Sequence, residues 1–238
     1  MKLRCTAGVI ALLGLGVAQA NNTPQSLPFS QDWSNAGLIT TDDDWSGVAG
    51  IEGFRGDNIT GTTGVDPQTL LAADATPTID VNANQTNPDT FVTGGATEFA
   101  ITNAVVALTG SGTADAPYLQ INLNTSGKTG ITVSYSLRDI DGSTDNSVQP
   151  VALQFRVGNA GNFSNVPAAF VADASGGPSL ATLVTPVSAT LPAAVDNQPL
   201  IQLRIMTSNA IGNDEQIGVD DLSVVAATPV SLQSYRVD

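Results

Sequence analysis

The sequence predicts an all-β protein, a β-sandwich of the jelly-roll type with long N-terminal loops. Two observations indicate this class. Apolar and polar residues alternate with a period of two from Phe99 onward, and Gly, Pro, Asn and Asp interrupt the alternation at the spacing expected of sandwich strands. No segment of comparable length has helical periodicity, so helices are not expected to contribute a layer.

The clearest predicted strand covers residues 131–138. There Ile131, Val133, Tyr135 and Leu137 alternate with polar residues, as in a strand with one buried face. The same alternation predicts strands over 119–123, 151–157 and 201–205.

Residues 21–98 are rich in Thr, Asn, Asp and Gly, a composition close to that of unstructured tracts. Both tryptophans of the chain, Trp33 and Trp45, lie there in Asp-Trp-Ser triplets, and large aromatics of this kind anchor irregular segments to a core. We therefore expect ordered loops with a few short strands. Asp66 followed by Pro67 predicts a capped helical turn.

The N-terminus has the features of a secretory signal peptide. Lys2 and Arg4 precede an apolar stretch too short to span a bilayer, and Ala18-Gln19-Ala20 is a small-x-small cleavage site. We expect residues 1–20 to be removed and the protein to be extracellular or on the cell surface, with no membrane segment. Residues 21–226 are predicted to form a single domain, and residues 227–238 a tail or an extra strand.

Charge and composition exclude several classes of function. The predicted cleavage removes two of the eight Lys and Arg residues and none of the 22 Asp and Glu residues, which leaves a formal charge of −16. Direct nucleic-acid binding is not expected at this charge. The chain has no His, and its one cysteine, Cys5, lies in the signal peptide, so Cys/His zinc sites and imidazole bases are excluded. We predict a protein that is not an enzyme and has no catalytic residues.

The stretch 212–224, "GNDEQIGVDDLSV", carries two adjacent acids inside a strand pattern. Ile217 and Val219 fall in one phase of the strand and Leu222 and Val224 in the other, which predicts a β-bulge or a strand entrance between them. A buried carboxylate there needs a cation or several hydrogen bonds. The sequence predicts a structural Ca²⁺ site, whose ligands would be Asp220 or Asp221 together with Asp214, Glu215 and Asp32. The alternative is that Asp220 caps loop amides and binds no ion.

A second acidic stretch, "DIDGSTDN" at 139–146, offers Asp139, Asp141 and Asp145 as Ca²⁺ ligands. Its glycine is at the fourth position, whereas an EF-hand needs glycine at the sixth. The favoured alternative is a hairpin loop between the strands at 131–138 and 151–157. The run "TDDDW" at 41–45 could supply metal ligands or form a sugar-stacking platform with both tryptophans, but a solvated turn before a core aromatic is favoured.

Long phrases of the chain resemble a known group of β-sandwich regions. The phrases are "NAVVALTGSGTADAPYLQINLNTSGKTGITVSYSLRDIDGSTDNSVQPVALQFRVGNAGNFSNVP" and "TSNAIGNDEQIGVDDLSV", with "GFRGDNITGTTGVDPQTLL" and "NANQTNPDTFVTGG" upstream. They resemble the N-terminal sandwich region of secreted bacterial nucleases of the endonuclease/exonuclease/phosphatase class and of lamin-tail-type surface proteins, over residues 29–225. The resemblance implies an accessory module, because the histidine-dependent catalytic domain of such nucleases is missing here. "GVDDLSV" also resembles the closing strand of carbohydrate-binding jelly rolls, where an aspartate binds structural Ca²⁺.

These observations lead to three hypotheses. The leading one is a secreted, non-catalytic and calcium-stabilised module that binds extracellular polysaccharide or a cell-surface component. The second is a fragment or subunit of a secreted nuclease or phosphoesterase, suggested by the resemblance. The third is a structural matrix or surface protein that self-associates through open sheet edges. The sequence predicts no cofactor besides Ca²⁺ and no oligomeric state.

Overall fold

The computed structural model describes residues 20–144, 147–176 and 181–227. Its strands are β1 (Gln25–Ser26), β2 (Phe29–Gln31), β3 (Ile51–Phe54), β4 (Asn82–Gln85), β5 (Gly95–Phe99), β6 (Val105–Thr109), β7 (Tyr118–Asn124), β8 (Thr132–Asp139), β9 (Ala152–Val157), β10 (Ser164–Asn165), β11 (Val184–Thr190), β12 (Ile201–Met206) and β13 (Ile217–Val225). The helical segments are short 3-10 turns at Ala36–Leu38, Pro67–Thr69, Pro88–Thr90, Pro167–Ala169 and Ala193–Val195.

The strands form two sheets that pack face to face, which confirms the predicted all-β sandwich. The first sheet has the order β1-β7-β12-β9-β10, with β3 also paired to β7. The second sheet has the order β11-β8-β13-β6-β5-β4, with β2 also paired to β13. The four strands predicted from alternation are β7, β8, β9 and β12, and each lies within two residues of its predicted bounds.

Burial follows the alternation where one face of a sheet is open. In β8 the odd-numbered residues Val133, Tyr135 and Leu137 are buried in the core, and the residues between them are partly exposed. In β12 every residue is buried, because the N-terminal loops cover the outer face of the first sheet. Arg204 holds these loops in place, because its guanidinium donates to the carbonyl oxygens of Leu70 and, at 3.1 Å, Ala72.

The predicted hairpin between β8 and β9 is wrong. β8 lies in the second sheet between β11 and β13, whereas β9 lies in the first sheet and pairs with β12 and β10. Both edges of β8 are therefore occupied by other strands, and the chain between β8 and β9 crosses from one sheet to the other. This crossing places Asp141 and its neighbours at one end of the sandwich.

The N-terminal region is ordered and contributes to the core, as predicted. β1 belongs to the first sheet and β2 to the second, so the segment joins both layers. Trp33 and Trp45 are buried against each other with ring centroids 6.3 Å apart, and the Trp33 indole N–H donates to the Val219 carbonyl at 2.7 Å. They are core residues and do not form a sugar-stacking platform. The predicted turn is also present at Pro67–Thr69, where the Asp66 carboxylate accepts from the Gln68 N–H at 2.8 Å.

The predicted irregularity in β13 is a β-bulge. Asp220 is opposite Ser136 in β8, but the next register pair is Ser223 with Ser134, so β13 has one extra residue. Asp221 occupies that position with φ +51°. The bulge lies where the neighbour of β13 changes from β6 to β2.

Three predictions fall partly outside the described ranges: residues 1–19 of the signal peptide, Asp145, and residues 228–238 of the tail. Among the residues that are described, no helix is long and apolar enough to cross a membrane.

Candidate binding cleft

Asp220, the first predicted calcium ligand, is buried and has a cation from the chain itself. Its Oδ2 accepts from Arg138 Nη1 at 2.8 Å and from Asn103 Nδ2 at 3.2 Å, and its Oδ1 accepts from the Asp221 N–H at 2.8 Å. Burial raises the pKa of the Asp220 carboxyl above its ordinary value, and the hydrogen bonds from the Asp221 N–H and Arg138 offset part of this rise. The negative charge of Asp220, for which Ca²⁺ was the predicted partner, is thus compensated by a guanidinium from the neighbouring strand.

The other ligands predicted for the Asp220 site lie elsewhere. Asp32 is exposed and accepts from the N–H and hydroxyl of Ser34, at 3.0 and 2.8 Å. Asp221 points to solvent, and Asp214 accepts from the Ala210 N–H at 2.8 Å in the loop before β13. Throughout the described ranges, no group of three or more His, Cys, Asp or Glu residues could hold a metal ion.

The structure instead brings together residues from the two acidic stretches. The Ser143 hydroxyl lies 3.1 Å from Asp141 Oδ1 and 3.3 Å from Glu215 Oε2, and both carboxylates are buried. Asp141 also accepts from the Gln216 N–H at 3.2 Å. Asp139, buried at the end of β8, is the register partner of Ile217. The crossing loop after β8 and the loop before β13 therefore meet.

An open cleft of about 440 Å³ lies at this meeting point, and we call it the acidic cleft. Three carboxylates line it, those of Asp89, Asp141 and Asp214, and none of its lining residues is Lys or Arg. Its volume falls within the range typical of small-molecule sites. Asp89 is held by the Gly142 N–H at 2.6 Å, and burial raises the pKa of the Asp214 carboxyl.

The rest of the wall combines hydroxyl groups with apolar surface. Thr109, Ser111 and Ser143 contribute hydroxyls, while Phe91 and Val92 contribute apolar side chains. Gly110 lies between Thr109 and Ser111 in the sequence. A Cβ at this position would approach Asp214 Oδ1 to 2.2 Å and the Asn209 Cα to 2.5 Å. Glycine is therefore required at position 110 for the loop carrying Asp214 to come this close.

Three exposed hydrophobic residues belong to the segments that line the acidic cleft or are next to their contacts in sequence. Val92 lines it and is 87% exposed, and Ile211, 75% exposed, immediately precedes the lining residue Gly212. Val148, 60% exposed, follows Ser147, whose hydroxyl donates to the carbonyl oxygen of the lining residue Asn213.

The acids of "TDDDW" lie in the predicted turn before the core residue Trp45, and two of them also accept backbone hydrogen bonds. Asp42 and Asp43 accept from the backbone N–H groups of Ala83, at 2.8 Å, and Val81, at 3.3 Å. They cover the backbone donors at the edge formed by β4. These two backbone N–H groups are therefore already hydrogen-bonded and are not available to another strand.

Comparisons with known proteins reach only the level of the fold. No family model matches the chain, and no curated protein matches it. Among solved structures, a carbohydrate-binding module in complex with β-1,4-galactotriose is 10% identical over 52% of this chain and 72% of its own, with a TM-score of 0.34. A carbohydrate-binding module specific for non-crystalline cellulose is 13% identical over 55% and 80%, with a TM-score of 0.38. The K3 cleaved adhesin domain of Lys-gingipain from Porphyromonas gingivalis W83 is 14% identical over 83% and 96%, with a TM-score of 0.43.

These similarities are too weak to indicate a ligand for this chain. The resemblance to the accessory region of secreted nucleases and to lamin-tail-type proteins stays a prediction.

Proposed function

We propose that this chain is a secreted, non-catalytic β-sandwich module that binds an extracellular polysaccharide or cell-surface component in the acidic cleft and is stabilised by Ca²⁺. The observation that supports this best is the cleft itself. It is open to solvent and combines carboxylates, hydroxyl groups and the apolar wall of Phe91 and Val92. Sites that bind polar small molecules commonly combine a few fixed polar groups with apolar surface in this way.

The chemistry of the cleft favours binding over catalysis. The chain has no histidine, so the hydroxyls of Thr109, Ser111 and Ser143 have no imidazole to activate them as nucleophiles. The carboxylates of Asp89, Asp141 and Asp214 each accept a backbone N–H. Such bonds hold the loops in place and keep a preformed surface for a ligand.

We propose Asp141, which lines the cleft, and Glu215, which contacts the cleft residue Ser143, as the Ca²⁺ ligands. Ca²⁺ prefers oxygen ligands, and Asp141 and Glu215 place two buried carboxylates beside the Ser143 hydroxyl. These residues would hold the ion. When bound, the ion would neutralise the buried carboxylates, whose burial is otherwise unfavourable, and would join the crossing loop to the start of β13.

Thermal unfolding of residues 21–238 with Ca²⁺ and with EGTA tests the proposed ion. At a free Ca²⁺ concentration of about 100 times Kd, we expect a gain of about 2.7 kcal/mol in the free energy of unfolding. Asp141→Asn should remove the gain, and Asp32→Asn, outside the cleft, should retain it. Superimposable curves with Ca²⁺ and EGTA would refute the calcium part of the proposal.

Retention on a polysaccharide array tests the binding function. We expect the mature chain to bind at least one polysaccharide, and Ser111→Phe, which fills the cleft, to abolish binding. Ser126→Phe, at an exposed turn outside the cleft, is the matched control. No retention on any polysaccharide or cell-surface extract would refute the proposal, as would hydrolysis of a retained polysaccharide or of DNA by the purified chain.

A further inference from the structure

The charge and shape of the acidic cleft restrict the kind of sugar that it can bind. Asp89, Asp141 and Asp214 line a space of about 440 Å³, and no lining residue is a cation. The whole chain also carries a formal charge of −14. A polysaccharide with carboxylate or sulfate groups would be repelled by this field, since like charges in a partly desolvated site interact unfavourably.

A neutral sugar can donate hydroxyl hydrogen bonds to the carboxylates, but it supplies no charge in place of the water that it displaces. Asp141 is buried and Asp214 is partly buried, so each loses hydration when a ligand closes the cleft. Desolvation of an ionised carboxylate is costly unless a cation pairs with it. A ligand that carries an ammonium group supplies that cation.

We propose that the acidic cleft binds an amino sugar with a free ammonium group, presented as a unit of an extracellular polysaccharide. This inference rests on the proposed function. The ammonium group pairs with Asp89 and Asp214, which line the cleft beside the proposed Ca²⁺ ligands Asp141 and Glu215. Charge-assisted hydrogen bonds of this kind are stronger than neutral ones.

The remaining wall fits a sugar ring better than a lysine side chain. The hydroxyls of Thr109, Ser111 and Ser143 can exchange hydrogen bonds with ring hydroxyls, which a lysine side chain lacks. Phe91 contacts Phe99 edge-to-face, with ring centroids 5.8 Å apart, so it forms a fixed apolar wall for the C–H face of a ring. Val92, which is 87% exposed, is available to cover the ring at the mouth.

Calorimetric titration of the mature chain with glucosamine oligomers and with the same oligomers N-acetylated tests the proposal. The two ligands share ring and linkage and differ in the ammonium charge. In buffer with Ca²⁺, we expect at least tenfold tighter binding of the free amine, and weaker binding as salt is raised. Asp89→Asn should lower the affinity at least fivefold. Asp89 is exposed, so its variant should fold, and Asp32→Asn is the matched control outside the cleft.

Several results would overturn the inference. Equal affinity for both oligomers, or loss of affinity in Asp32→Asn equal to that in Asp89→Asn, would show that the cleft does not recognise an ammonium group. A lysine-containing peptide that binds as tightly as the glucosamine oligomer would point to a protein partner. If another polysaccharide is retained on the array while glucosamine oligomers do not bind, the amino-sugar inference fails and the proposed function stands. Failure of every polysaccharide refutes both.

Discussion

Carboxylates that are buried or partly buried in this chain are compensated in different ways, and each way has its own consequence for stability. Asp220 pairs with Arg138 at 2.8 Å across two strands. Asp80 accepts the Ala96 N–H at 2.7 Å, and burial raises its pKa to about 6, with a further contribution from nearby Asp43. The effect of Asp220 on stability depends on its partner charge, and the effect of Asp80 on stability depends on pH.

Removing the partner charge of Asp220 should destabilise the fold. Arg138→Met leaves a buried carboxylate without its cation, and we expect the free energy of unfolding in urea to fall by about 2–4 kcal/mol. Arg55→Met is the control, because the Arg55–Asp57 ion pair is more exposed and its loss should cost at most about 1 kcal/mol. A loss in Arg138→Met that Ca²⁺ restores would mean that Asp220 is a calcium ligand after all.

Asp80 should make the protein less stable as pH rises. Its folded-state pKa of about 6 lies above the ordinary value of 3.8, so folding favours the protonated form. The stability that this proton contributes is fully present below about pH 4 and is lost as pH rises through about 6, by at most about 3 kcal/mol. Asp80→Asn keeps an acceptor for the Ala96 N–H and has no charge to bury.

We therefore expect Asp80→Asn to exceed the wild type in stability at about pH 7.5 and to match it near pH 4. Urea unfolding at several pH values measures the difference between the two proteins. A difference that stays constant with pH would contradict the assigned ionisation, and a wild type favoured at higher pH would reverse its sign. Asp32→Asn, at an exposed position, controls for general effects of charge.

At the scale of elements, alternation identified strands and their buried faces but not their neighbours. The pattern over 131–138 predicts that Val133, Tyr135 and Leu137 lie in the core, and all three are buried in β8. The following strand was predicted to pair with β8 and does not. Period-two patterning is the same whether the next strand joins the same sheet or the opposite one, so the crossing could not be predicted from it.

The same limit explains the outcome for the candidate site. Acidity identified Asp141, Asp214 and Glu215 as candidate ligands, but Asp141 was predicted to belong to a different site from the other two. Arg138, the partner of Asp220, is 82 positions away along the chain and adjacent only through strand pairing. Phe91 and Val92, on the apolar side of the acidic cleft, follow the 3-10 turn at Pro88–Thr90 and belong to no periodic pattern.

Both outer edges of the second sheet have features that oppose pairing with another copy. Asp42 and Asp43 cover backbone donors along β4, and β11 contains Pro186, which has no N–H. We expect Pro186→Thr to expose a regular edge and to cause concentration-dependent association, measured by light scattering. Ser188→Thr, at an exposed position of β11, should leave the wild-type state unchanged.

Concentration-dependent assembly of the wild type would support the matrix-protein hypothesis instead. In that case Pro186 would not be the residue that limits pairing, and Pro186→Thr would have little further effect.

At the scale of the whole molecule, the N-terminal segment is part of the sandwich. β1 pairs with β7 in the first sheet and β2 pairs with β13 in the second, so a stretch of a few residues connects the layers. Trp33 and Trp45 belong to the same hydrophobic cluster as the inner faces of both sheets. Loops that carry core residues in this way cannot separate without opening the core.

We therefore expect a single cooperative unfolding transition for residues 21–238. Tryptophan fluorescence reports only Trp33 and Trp45, both in the N-terminal region, whereas far-UV circular dichroism reports strands throughout the chain. Because both tryptophans lie in the shared core, the two signals should give the same midpoint and the same m-value in urea. A fluorescence change at clearly lower urea would show that the N-terminal region detaches first. Trp33→Phe, which loses the hydrogen bond to the Val219 carbonyl beside the bulge, should lower both midpoints together if the transition is single.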